Sequence, residues 1–353
     1  MDQILIVIPS YEPDRRLLAL LKDIKENGVG FVILVDDGSG LEYADIFGEA
    51  GDIMGDGGII LSHDANKGKG RALKTAFEYV LEHCPDAKGV VTADSDGQHT
   101  ADAIREIKGI LLEKPDNLVL GVRNFGEEGI PWKSKFGNTL TEKIFGYLAG
   151  VHVSDTQTGL RGIPKSLLQP LLKVKGERFE FEMRMLLEIT GKCEITEVPI
   201  DTIYDSEENH QTHFHPLKDS IRIYRILAEK FIKYTFVSFS SSVIDITLFS
   251  VMCFFLKRGH PHIYIAIATV AARIVSSLYN YLMNYKVVFR SQEKIKTAGM
   301  RYAFLAVMQM GMSAILVTIF ASLLSVVPEF VIKTVVDVAL FFLSYHIQRR
   351  YVF

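Results

Sequence analysis

Apolar and polar positions follow two different patterns along the 353-residue chain. In the first 230 residues, short apolar runs end in polar clusters, and helical patterns separate several of these runs. The apolar runs are Ile4–Ile8, Phe31–Val35, Val90–Ala93 and Leu118–Val122. The helical patterns are Arg15–Glu26, Arg71–His83 and Ala101–Leu112. Strands that alternate with helices predict an α/β fold with a mostly parallel, Rossmann-like sheet covered by helices.

The rest of the chain contains long apolar stretches with few charges. Four stretches approach the length of about 20 residues that crosses a bilayer, at about 231–256, 262–285, 301–326 and 330–348. Just before them, apolar residues recur at helical spacing from Leu217 to Phe231 with basic residues between them, which predicts an amphipathic helix at a membrane surface. The predicted domains are therefore 1–215, an interfacial helix over 216–230, and an all-α four-helix transmembrane domain over 231–353.

The two apolar hairpins resemble one another in sequence. Lys233–Val237 recurs as Arg301–Leu305, and Asn284–Phe289 recurs in outline as Gln348–Phe353. Three charges lie well inside the apolar stretches, where an unpaired charge costs about 2.5–3.5 kcal/mol on insertion scales: Asp245, Arg273 and Asp337. Because Arg273 and Asp337 occupy matching places in the two copies, we predict that Arg273 faces the bundle interior near Asp337 or Asp245.

Charge and cysteine content narrow the classes of function. The net charge of −3 gives no indication of a nucleic-acid partner. The three cysteines lie far apart in sequence and suggest neither a zinc site nor a disulfide framework. The N-terminus lacks a basic region, and its apolar run stops at Pro9, so it does not read as a signal peptide.

Basic residues near the ends of the apolar stretches predict the orientation. The segment 284–301 holds five of them, and Arg349 and Arg350 follow the last stretch, whereas the opposite side has only Lys257 and Arg258. We therefore expect an integral membrane protein in which the soluble domain, the middle loop and the C-terminus share the cytoplasmic side.

Two carboxylates, Asp94 and Asp96, follow the apolar run Val90–Ala93. Carboxylates this close at the end of a buried strand repel one another unless a cation binds them. Hard oxygen ligands suit Mg²⁺ or Mn²⁺, and Gln98 adds a neutral oxygen two residues on. A solvated turn is the alternative for an isolated pair of this kind.

A glycine-rich basic segment, Asn66–Arg71, opens the predicted helix that ends at His83. Glycines let the backbone approach a ligand closely, and a helix N-terminus with added cations favours an anion. No Gly-Lys-Ser/Thr follows, so the segment is not a P-loop. On its own, the signal is weak.

Four motifs in order resemble the family-2 glycosyltransferases of GT-A fold, over about residues 3–225. They are Ile8–Glu12, Val35–Ser39, Asn66–Gly70 and Ala93–His99. The resemblance implies a nucleotide-sugar donor and a divalent metal, Mg²⁺ or Mn²⁺. It assigns a first group of residues to the nucleotide sugar: Pro9, Tyr11, Glu12, Asp37, Lys67, Gly68, Lys69 and Asp94. The metal ligands that it implies are Asp94, Asp96 and Gln98.

Three further segments resemble the polyprenyl-phosphate hexosyltransferases, including dolichyl-phosphate mannose synthases. They are Gly121–Arg123, Asp155–Arg161 and Arg178–Glu182. One departure is Thr212-His213, where mannose synthases carry a Ser-Lys pair, so that a titratable cation replaces a fixed one. Residues 231–353 resemble the GtrA-like four-span proteins, which implies a role in moving lipid-linked sugars only loosely.

A phosphate acceptor is also favoured by the basic residues themselves. A hydroxyl acceptor needs a general base, whereas a lipid phosphate is already anionic and needs cations to hold it. The expected acceptor-phosphate residues are Arg123, Lys133, Lys135 and His213, and the expected catalytic residues are Asp96, Asp155, Arg123 and Arg161.

The sequence thus predicts an inverting transfer of a hexose from a UDP- or GDP-linked donor to polyprenyl phosphate, such as undecaprenyl phosphate, at the cytoplasmic membrane face. Two alternatives stay open. A hydroxyl-acceptor transferase of cell-envelope polymer synthesis would use a carboxylate such as Glu180 or Glu182. A protein that translocates a lipid-linked sugar would use the transferase domain as an accessory. A homo-oligomer is possible under each of them.

Overall fold

A computed structural model describes residues 3–123, 141–147, 150–200, 216–256, 264–291, 293–324 and 327–353. The chain divides into two compact units, Met1–Ile226 and Leu227–Phe353, which are considered separately below. The division falls inside the segment 216–230 that the sequence assigns to an interfacial helix.

The first unit is built on a seven-stranded sheet with the order β3-β2-β1-β4-β6-β5-β7. The strands are β1 Ile4–Ser10, β2 Val32–Asp36, β3 Gly58–Ser62, β4 Gly89–Thr92, β5 Leu118–Arg123, β6 Arg161–Pro164 and β7 Ile195–Ile200. The helices are α1 Arg15–Glu26, α2 Ala44–Met54, α3 Lys69–His83, α4 Ala101–Glu113, α5 over 141–147, α6 Lys165–Leu172 and α7 Glu180–Ile189. Only β6 runs antiparallel to its neighbours, β4 and β5.

The predicted mostly parallel α/β fold is confirmed. All seven residues of β1 are buried, as expected for a strand with helices on both faces of its sheet. Asp14 caps α1 by accepting a hydrogen bond from the Arg16 N–H, and Thr100 caps α4 in the same way through the Ala103 N–H. The four predicted strands and three predicted helices all occur, with ends shifted by at most two residues.

The strand order places a crevice at one edge of the sheet. The chain moves outward from β1 to β2 and β3 on one side and to β4 on the other, so the topology reverses between β1 and β4. Ligands bind beyond the carboxyl ends of the strands at such a reversal. The register aligns Ser10 with Asp36, and Asp36 with Ser62, so the loops that follow these strands begin at one level.

The second unit is helical. Its elements are α8 Pro216–Leu256, which begins before the unit boundary, α9 Tyr264–Met283, a π-helical turn Asn284–Val288, α10 Ile295–Leu323, α11 Glu329–Ile347 and a second π-helical turn Gln348–Val352. Among the described residues, three segments are long and apolar enough to cross a membrane: Ala228–Leu256, Ile295–Leu323 and Val331–Val352. The remaining predicted span, 262–285, corresponds to α9, whose described residues do not meet this criterion of length and hydropathy.

Matching residues of the two hairpins contact one another. The Phe289 and Phe353 rings stack with centroids 5.1 Å apart. The Asn284 amide donates to the Gln348 side-chain oxygen at 3.2 Å, and both residues are buried. The two π-helical turns also begin at these matching residues. The sequence repeat therefore corresponds to a structural repeat whose copies meet at equivalent positions.

The charges inside the apolar helices form pairs. Arg273 lies 3.3 Å from Asp245, as predicted for one of its two candidate partners, but the Arg273 side chain is 65% exposed and is not enclosed by the described helices. Asp337 instead pairs with Lys333 at 2.8 Å and accepts a hydrogen bond from Ser313. The expectation that Arg273 faces an enclosed interior is therefore wrong, while the pairing with Asp245 is confirmed.

Candidate active site

The Asp94 and Asp96 pair lies just beyond the carboxyl end of β4, in the crevice at the topological reversal. Lys69, at the start of α3, places its Nζ 2.6 Å from an Asp94 carboxylate oxygen and 3.0 Å from Glu182 on α7. Asp96 accepts a hydrogen bond from the Gln98 N–H at 3.1 Å. Two carboxylates, Asp94 and Glu182, therefore share one lysine.

The protonation of this cluster reflects burial and the competing charges. Burial alone would raise the pKa of Asp94, but the charge of Lys69 and the contact with His99 hold this pKa far below its usual value. Burial, and then the negative charge of Asp94, raise the pKa of Asp96. Burial opposes the charge on Lys69, yet Asp94 and Glu182 raise the pKa of its ammonium above the ordinary value. Asp96 is thus the carboxylate whose charge the protein compensates least.

The donor set around Asp96 fits a divalent cation. It offers hard oxygens from two carboxylates, with the Gln98 amide nearby in sequence, and its negative charge exceeds that of the single lysine. Within the described ranges, no group of three or more His, Cys, Asp or Glu side chains is arranged to hold a metal ion. Mg²⁺ is commonly bound by only one or two carboxylates together with substrate phosphates and water.

Asp37 joins two loops at the ends of β2 and β3. Its carboxylate accepts hydrogen bonds from the Lys67 N–H at 3.0 Å and the Gly68 N–H at 2.7 Å, and it contacts His63 Nδ1 at 2.7 Å. The side chain is only 3% exposed. With its oxygens engaged in this way, Asp37 is placed to shape the loop for the nucleotide, and a direct contact with the nucleotide stays a prediction.

The glycines of the basic segment are required by packing. A Cβ on Gly68 would lie 2.3 Å from the Glu177 carbonyl oxygen, and one on Gly70 would lie 2.5 Å from the Phe181 Cβ. Gly68 also has a φ of 102°, which L-residues rarely adopt. These glycines therefore let the start of α3 pack closely on the segment that leads into α7. The expectation that they also let the backbone approach a ligand closely stays a prediction.

The first motif forms a strained turn beside this loop. Pro9 is buried in β1, and Tyr11 and Glu12 follow at the strand end, half-buried. Glu12 has a φ of 49°, and its N–H donates to the Ser39 hydroxyl at 2.9 Å. A hydrogen bond to the Glu12 carboxylate raises the pKa of Tyr11. The structure thus brings Tyr11 and Glu12 together with the loop after β2, whereas Pro9 is buried within β1 and its contact with the nucleotide stays a prediction.

Arg123 and Asp155 form a two-point ion pair at the carboxyl end of β5. Arg123 Nε lies 2.7 Å from one carboxylate oxygen, and Arg123 Nη2 lies 3.1 Å from the other. The Asp155 side chain is completely buried, while that of Arg123 is 22% exposed. Asp155 also accepts from the Gln157 N–H at 3.1 Å. The aspartate therefore orients the arginine, whose side chain stays partly exposed.

Arg161 is completely buried and bonds to the backbone. Its guanidinium donates to the carbonyl oxygens of Thr158 at 2.8 Å, Glu182 at 2.9 Å and Thr156 at 3.3 Å. A side chain with no exposed surface cannot reach a lipid phosphate in this arrangement. The geometry favours a positioning role, in which Arg161 fixes the loop of Asp155 against α7.

Four predicted site residues remain, of which the structure describes one. Lys67 is exposed on the loop before α3. Lys133, Lys135 and His213 fall within 124–140 and 201–215, which lie outside the described residues.

Two residues near the Asp94 and Asp96 pair, His99 and Gly159, were not assigned to the site from sequence. A third, Glu182, was expected there only under the hydroxyl-acceptor alternative. His99 is 5% exposed, and its Nε2 lies 3.8 Å from Asp94. A Cβ on Gly159 would fall 2.2 Å from an Asp94 oxygen, so only glycine fits against that carboxylate. Glu182, considered as a base for a hydroxyl acceptor, is paired with Lys69. Gly159 belongs to the motif segment Asp155–Arg161, but nothing in the spacing of that segment indicates that this glycine contacts Asp94.

The fold and the crevice define the class of protein. A mostly parallel sheet with a carboxylate pair beyond the strand at its topological reversal is the GT-A arrangement of glycosyltransferases. Residues 5–171 match the family model "Glycosyl transferase family 2", and residues 233–353 match the model of the GtrA/DPMS transmembrane domain. The chain thus carries a glycosyl transferase family 2 domain and a C-terminal GtrA/DPMS transmembrane domain; it is a glycosyltransferase and a membrane protein.

Several known proteins are similar to this chain. An uncharacterized protein of Methanocaldococcus jannaschii is 29% identical over 209 residues, which are 58% of this chain and 82% of that protein. A UDP-N-acetylglucosamine–dolichyl-phosphate N-acetylglucosaminyltransferase of Methanococcus voltae is 29% identical over 217 residues, 57% of this chain and 86% of the relative. The crystal structure of glucosyl-3-phosphoglycerate synthase from M. tuberculosis shares 18% identity and a TM-score of 0.46 over 64% of this chain and 80% of that one. That structural likeness supports neither an activity nor a substrate.

Proposed function

We propose that this glycosyltransferase moves a hexose from a UDP- or GDP-linked donor to polyprenyl phosphate, such as undecaprenyl phosphate, at the cytoplasmic face of the membrane. The observation that carries the proposal is the pairing of the carboxylates around the crevice. Asp94 and Glu182 contact Lys69, and Asp155 contacts Arg123. A carboxylate held by a cation is a poor base.

An acceptor that is already anionic needs no base. A lipid phosphate carries its own nucleophilic oxygen near neutral pH, and a hydroxyl acceptor would have to lose a proton. Arg123 suits such an anion because its side chain is partly exposed and its guanidinium is oriented in advance by Asp155. We expect Lys133, Lys135 and His213 to add positive charge for the same phosphate.

The same pairing favours inversion at the sugar. A retaining double displacement needs a nucleophilic side chain that can reach the anomeric carbon. Asp155 is buried and bonded at both oxygens, so it is unsuited to that role. In a single displacement, an acceptor phosphate oxygen forms the new bond to the anomeric carbon while the bond to the donor diphosphate breaks, and the configuration inverts.

On the donor side, Tyr11, Glu12 and the loop shaped by Asp37 would hold the base and ribose. Asp94, Asp96 and Gln98 would hold Mg²⁺ or Mn²⁺, which would offset the charge that develops on the departing nucleotide diphosphate. Lys69 keeps Asp94 ionised and in place.

The comparisons support the acceptor class. The name of the Methanococcus voltae relative gives dolichyl phosphate as the acceptor of that enzyme. A transmembrane domain on the same chain suits an acceptor that stays in the bilayer. The basic residues of 284–301 and of the C-terminal end support the cytoplasmic orientation.

The test is incubation of the full-length protein with a panel of nucleotide sugars and undecaprenyl phosphate, followed by mass analysis of the lipid product. Undecaprenol, which has the same chain and no phosphate, serves as the matched acceptor control. We expect one glycosylated lipid phosphate and no product from undecaprenol. Equal use of the two lipids would contradict the proposal.

A hydroxyl acceptor is the second candidate, and one observation favours it. Glu180 keeps a buried carboxylate oxygen with no hydrogen-bond partner among the described residues, so it is a carboxylate that no cation is seen to hold. If Glu180 were a base, Glu180→Gln would abolish transfer and remove an ionisation from the pH–rate profile. Under the phosphate-acceptor proposal, Glu180→Gln changes the rate little and leaves the shape of the profile intact.

A further inference from the structure

A groove of about 730 Å³ lies between α10 and α11 in the second unit. Its walls are mainly apolar and include two methionines, Met308 and Met312, and the partly exposed Leu343. Arg301, near the start of α10, and Arg350, just after α11, also line it. The groove therefore combines a long apolar surface with two cations.

The two arginines lie at the same end of the groove and lack carboxylate partners. Arg301 donates to the Tyr351 carbonyl oxygen at 3.2 Å, and the Arg350 guanidinium lies 5.5 Å from the centre of the Tyr351 ring. Within the described part of the chain, neither arginine forms an ion pair with an Asp or Glu. Arginine is the side chain best suited to a phosphate because its planar fork can donate two parallel hydrogen bonds.

The first copy of the repeat fills the matching positions differently. Lys233 stands where Arg301 does, and it is paired with Glu229 at 2.7 Å. Ser240 and Tyr279 stand where Met308 and Leu343 do, and their hydroxyl groups bond to each other at 3.1 Å. Lys286 matches Arg350, so the first copy also has two cations, but Lys233 is neutralised and polar side chains join the two helices. The apolar groove is therefore a departure of the second copy from the repeat.

We propose that this groove is a binding site for polyprenyl phosphate, with the phosphate on Arg301 and Arg350 and the adjoining part of the chain between α10 and α11. Two arginines match a phosphate monoester, which carries between one and two negative charges near neutral pH, better than the single charge of a phospholipid diester. Flexible methionine side chains adapt to an irregular surface such as a methyl-branched chain. The identity of the lipid rests on the proposed function; the site is additional to the cations of the catalytic domain.

The experiment measures binding of undecaprenyl phosphate to the full-length protein in nanodiscs of phosphatidylcholine. Arg301→Gln/Arg350→Gln should weaken binding about tenfold or more, because each arginine donates charged hydrogen bonds that the glutamine amide cannot replace. Lys294→Gln/Lys296→Gln is the matched control, since it removes the same charge from exposed positions outside the groove. An equal loss in both variants, or none in either, would overturn the site. Competition by phosphatidylglycerol as strong as by unlabelled undecaprenyl phosphate would assign the groove to ordinary phospholipid and also overturn it.

A second variant keeps the test valid if the double arginine variant does not fold. Met308→Trp fills the groove from a position that is 49% exposed and leaves both arginines in place. It should weaken binding of the long-chain lipid by a similar factor, and unchanged binding would count against the groove.

Failure of the proposed function gives a different result: the wild-type enzyme would transfer sugar to no lipid phosphate. Transfer by the wild type, together with unchanged binding in both groove variants, would discard the groove site alone.

Discussion

The two units bury different kinds of polar group. In the first unit, completely buried side chains include charged ones, Asp155 and Arg161. In the second, the buried polar residues at the repeat contact are the neutral amides Asn284 and Gln348, while the Arg273–Asp245 pair is much more exposed. Burying a charge costs far more than burying an amide that has a partner. In the first unit, the buried charges lie around the candidate active site. In the second unit, neutral groups that cost less to bury join the two copies of the repeat.

The largest effect should come from Asp96, the carboxylate that the protein itself compensates least. Asp96→Asn should lower turnover about 10²- to 10³-fold, because removing one preorganised electrostatic contact in an active site commonly costs about 3–4 kcal/mol. Turnover with the preferred nucleotide sugar measures it. Asp86→Asn, at an exposed carboxylate, is the control and should behave as wild type. Near-normal turnover of Asp96→Asn in chelator-treated buffer would show that the metal assignment is wrong.

Arg161 should matter for stability before it matters for substrate. Arg161→Met leaves three buried carbonyl oxygens without their donor, at about 1–3 kcal/mol each before relaxation. We expect a loss of about 3–5 kcal/mol, seen as a large drop in the thermal midpoint of the protein in detergent. A variant that keeps its midpoint and loses only lipid-phosphate affinity would restore Arg161 to the acceptor site.

Arg123 should show both effects. Arg123→Ala leaves Asp155 buried and unpaired, which should cost about 3 kcal/mol, the lower end for a broken buried pair because Arg123 is partly exposed. It should also raise the KM for polyprenyl phosphate about tenfold or more while changing nucleotide affinity little.

The double variant Arg123→Ala/Asp155→Ala separates these effects. It should recover part of the lost stability, because no unpaired charge remains, and should not recover use of the acceptor. Equal damage to donor and acceptor affinity in Arg123→Ala would move this arginine to the donor site.

Much of the first unit could be predicted from sequence because local patterns determine it. Each of the four predicted strands is an apolar run bounded by polar residues, and β1 and β4 are buried along their whole length. The edge strand β3 is only half-buried, and β6 pairs antiparallel, so neither carries that pattern. The residues around Asp94 and Asp96 could be assigned to one site from sequence because they are contiguous in the chain.

The contacts between distant segments could not be read in this way. Lys69 meets Glu182 across 113 residues, and Asp37 bonds to the backbone of Lys67 and Gly68. Arg161 was expected among the catalytic residues because a sequence shows charge and does not show burial. In the second unit, the repeat was visible in aromatic and basic residues, whereas the choice of Asp245 over Asp337 as the partner of Arg273 depends on helix packing.

The repeat contact should have a modest effect on stability. Asn284→Leu removes the amide that donates to both Gln348 and Asn280. Hydrogen bonds between membrane helices are worth about 0.6 kcal/mol on average and at most about 1.7, so we expect a loss of about 1 kcal/mol in unfolding in detergent. Gln348→Leu and the double variant complete a cycle. Strictly additive losses would mean that the two amides do not stabilise the contact between the copies.

The smallest effect should come from the ion pair within the first hairpin. An unpaired charge inside an apolar span costs about 2.5–3.5 kcal/mol on insertion scales, but that cost applies also to the chain unfolded in the membrane. Since the Arg273 side chain is 65% exposed, it can extend toward lipid headgroups when its partner is lost. We therefore expect Arg273→Ala to lower the free energy of unfolding by only about 0.5 kcal/mol.

Asp245→Asn keeps an acceptor for the Ser276 hydroxyl, which bonds to Asp245 at 2.8 Å. In the Arg273→Ala background, this second substitution should recover part of the lost stability. Ser313→Ala, at the position that matches Asp245 in the second hairpin, is the control and should show no coupling with Arg273. If Asp245→Asn and Arg273→Ala are additive in thermal unfolding, the pair contributes nothing, and both charges are held by their surroundings instead of by each other.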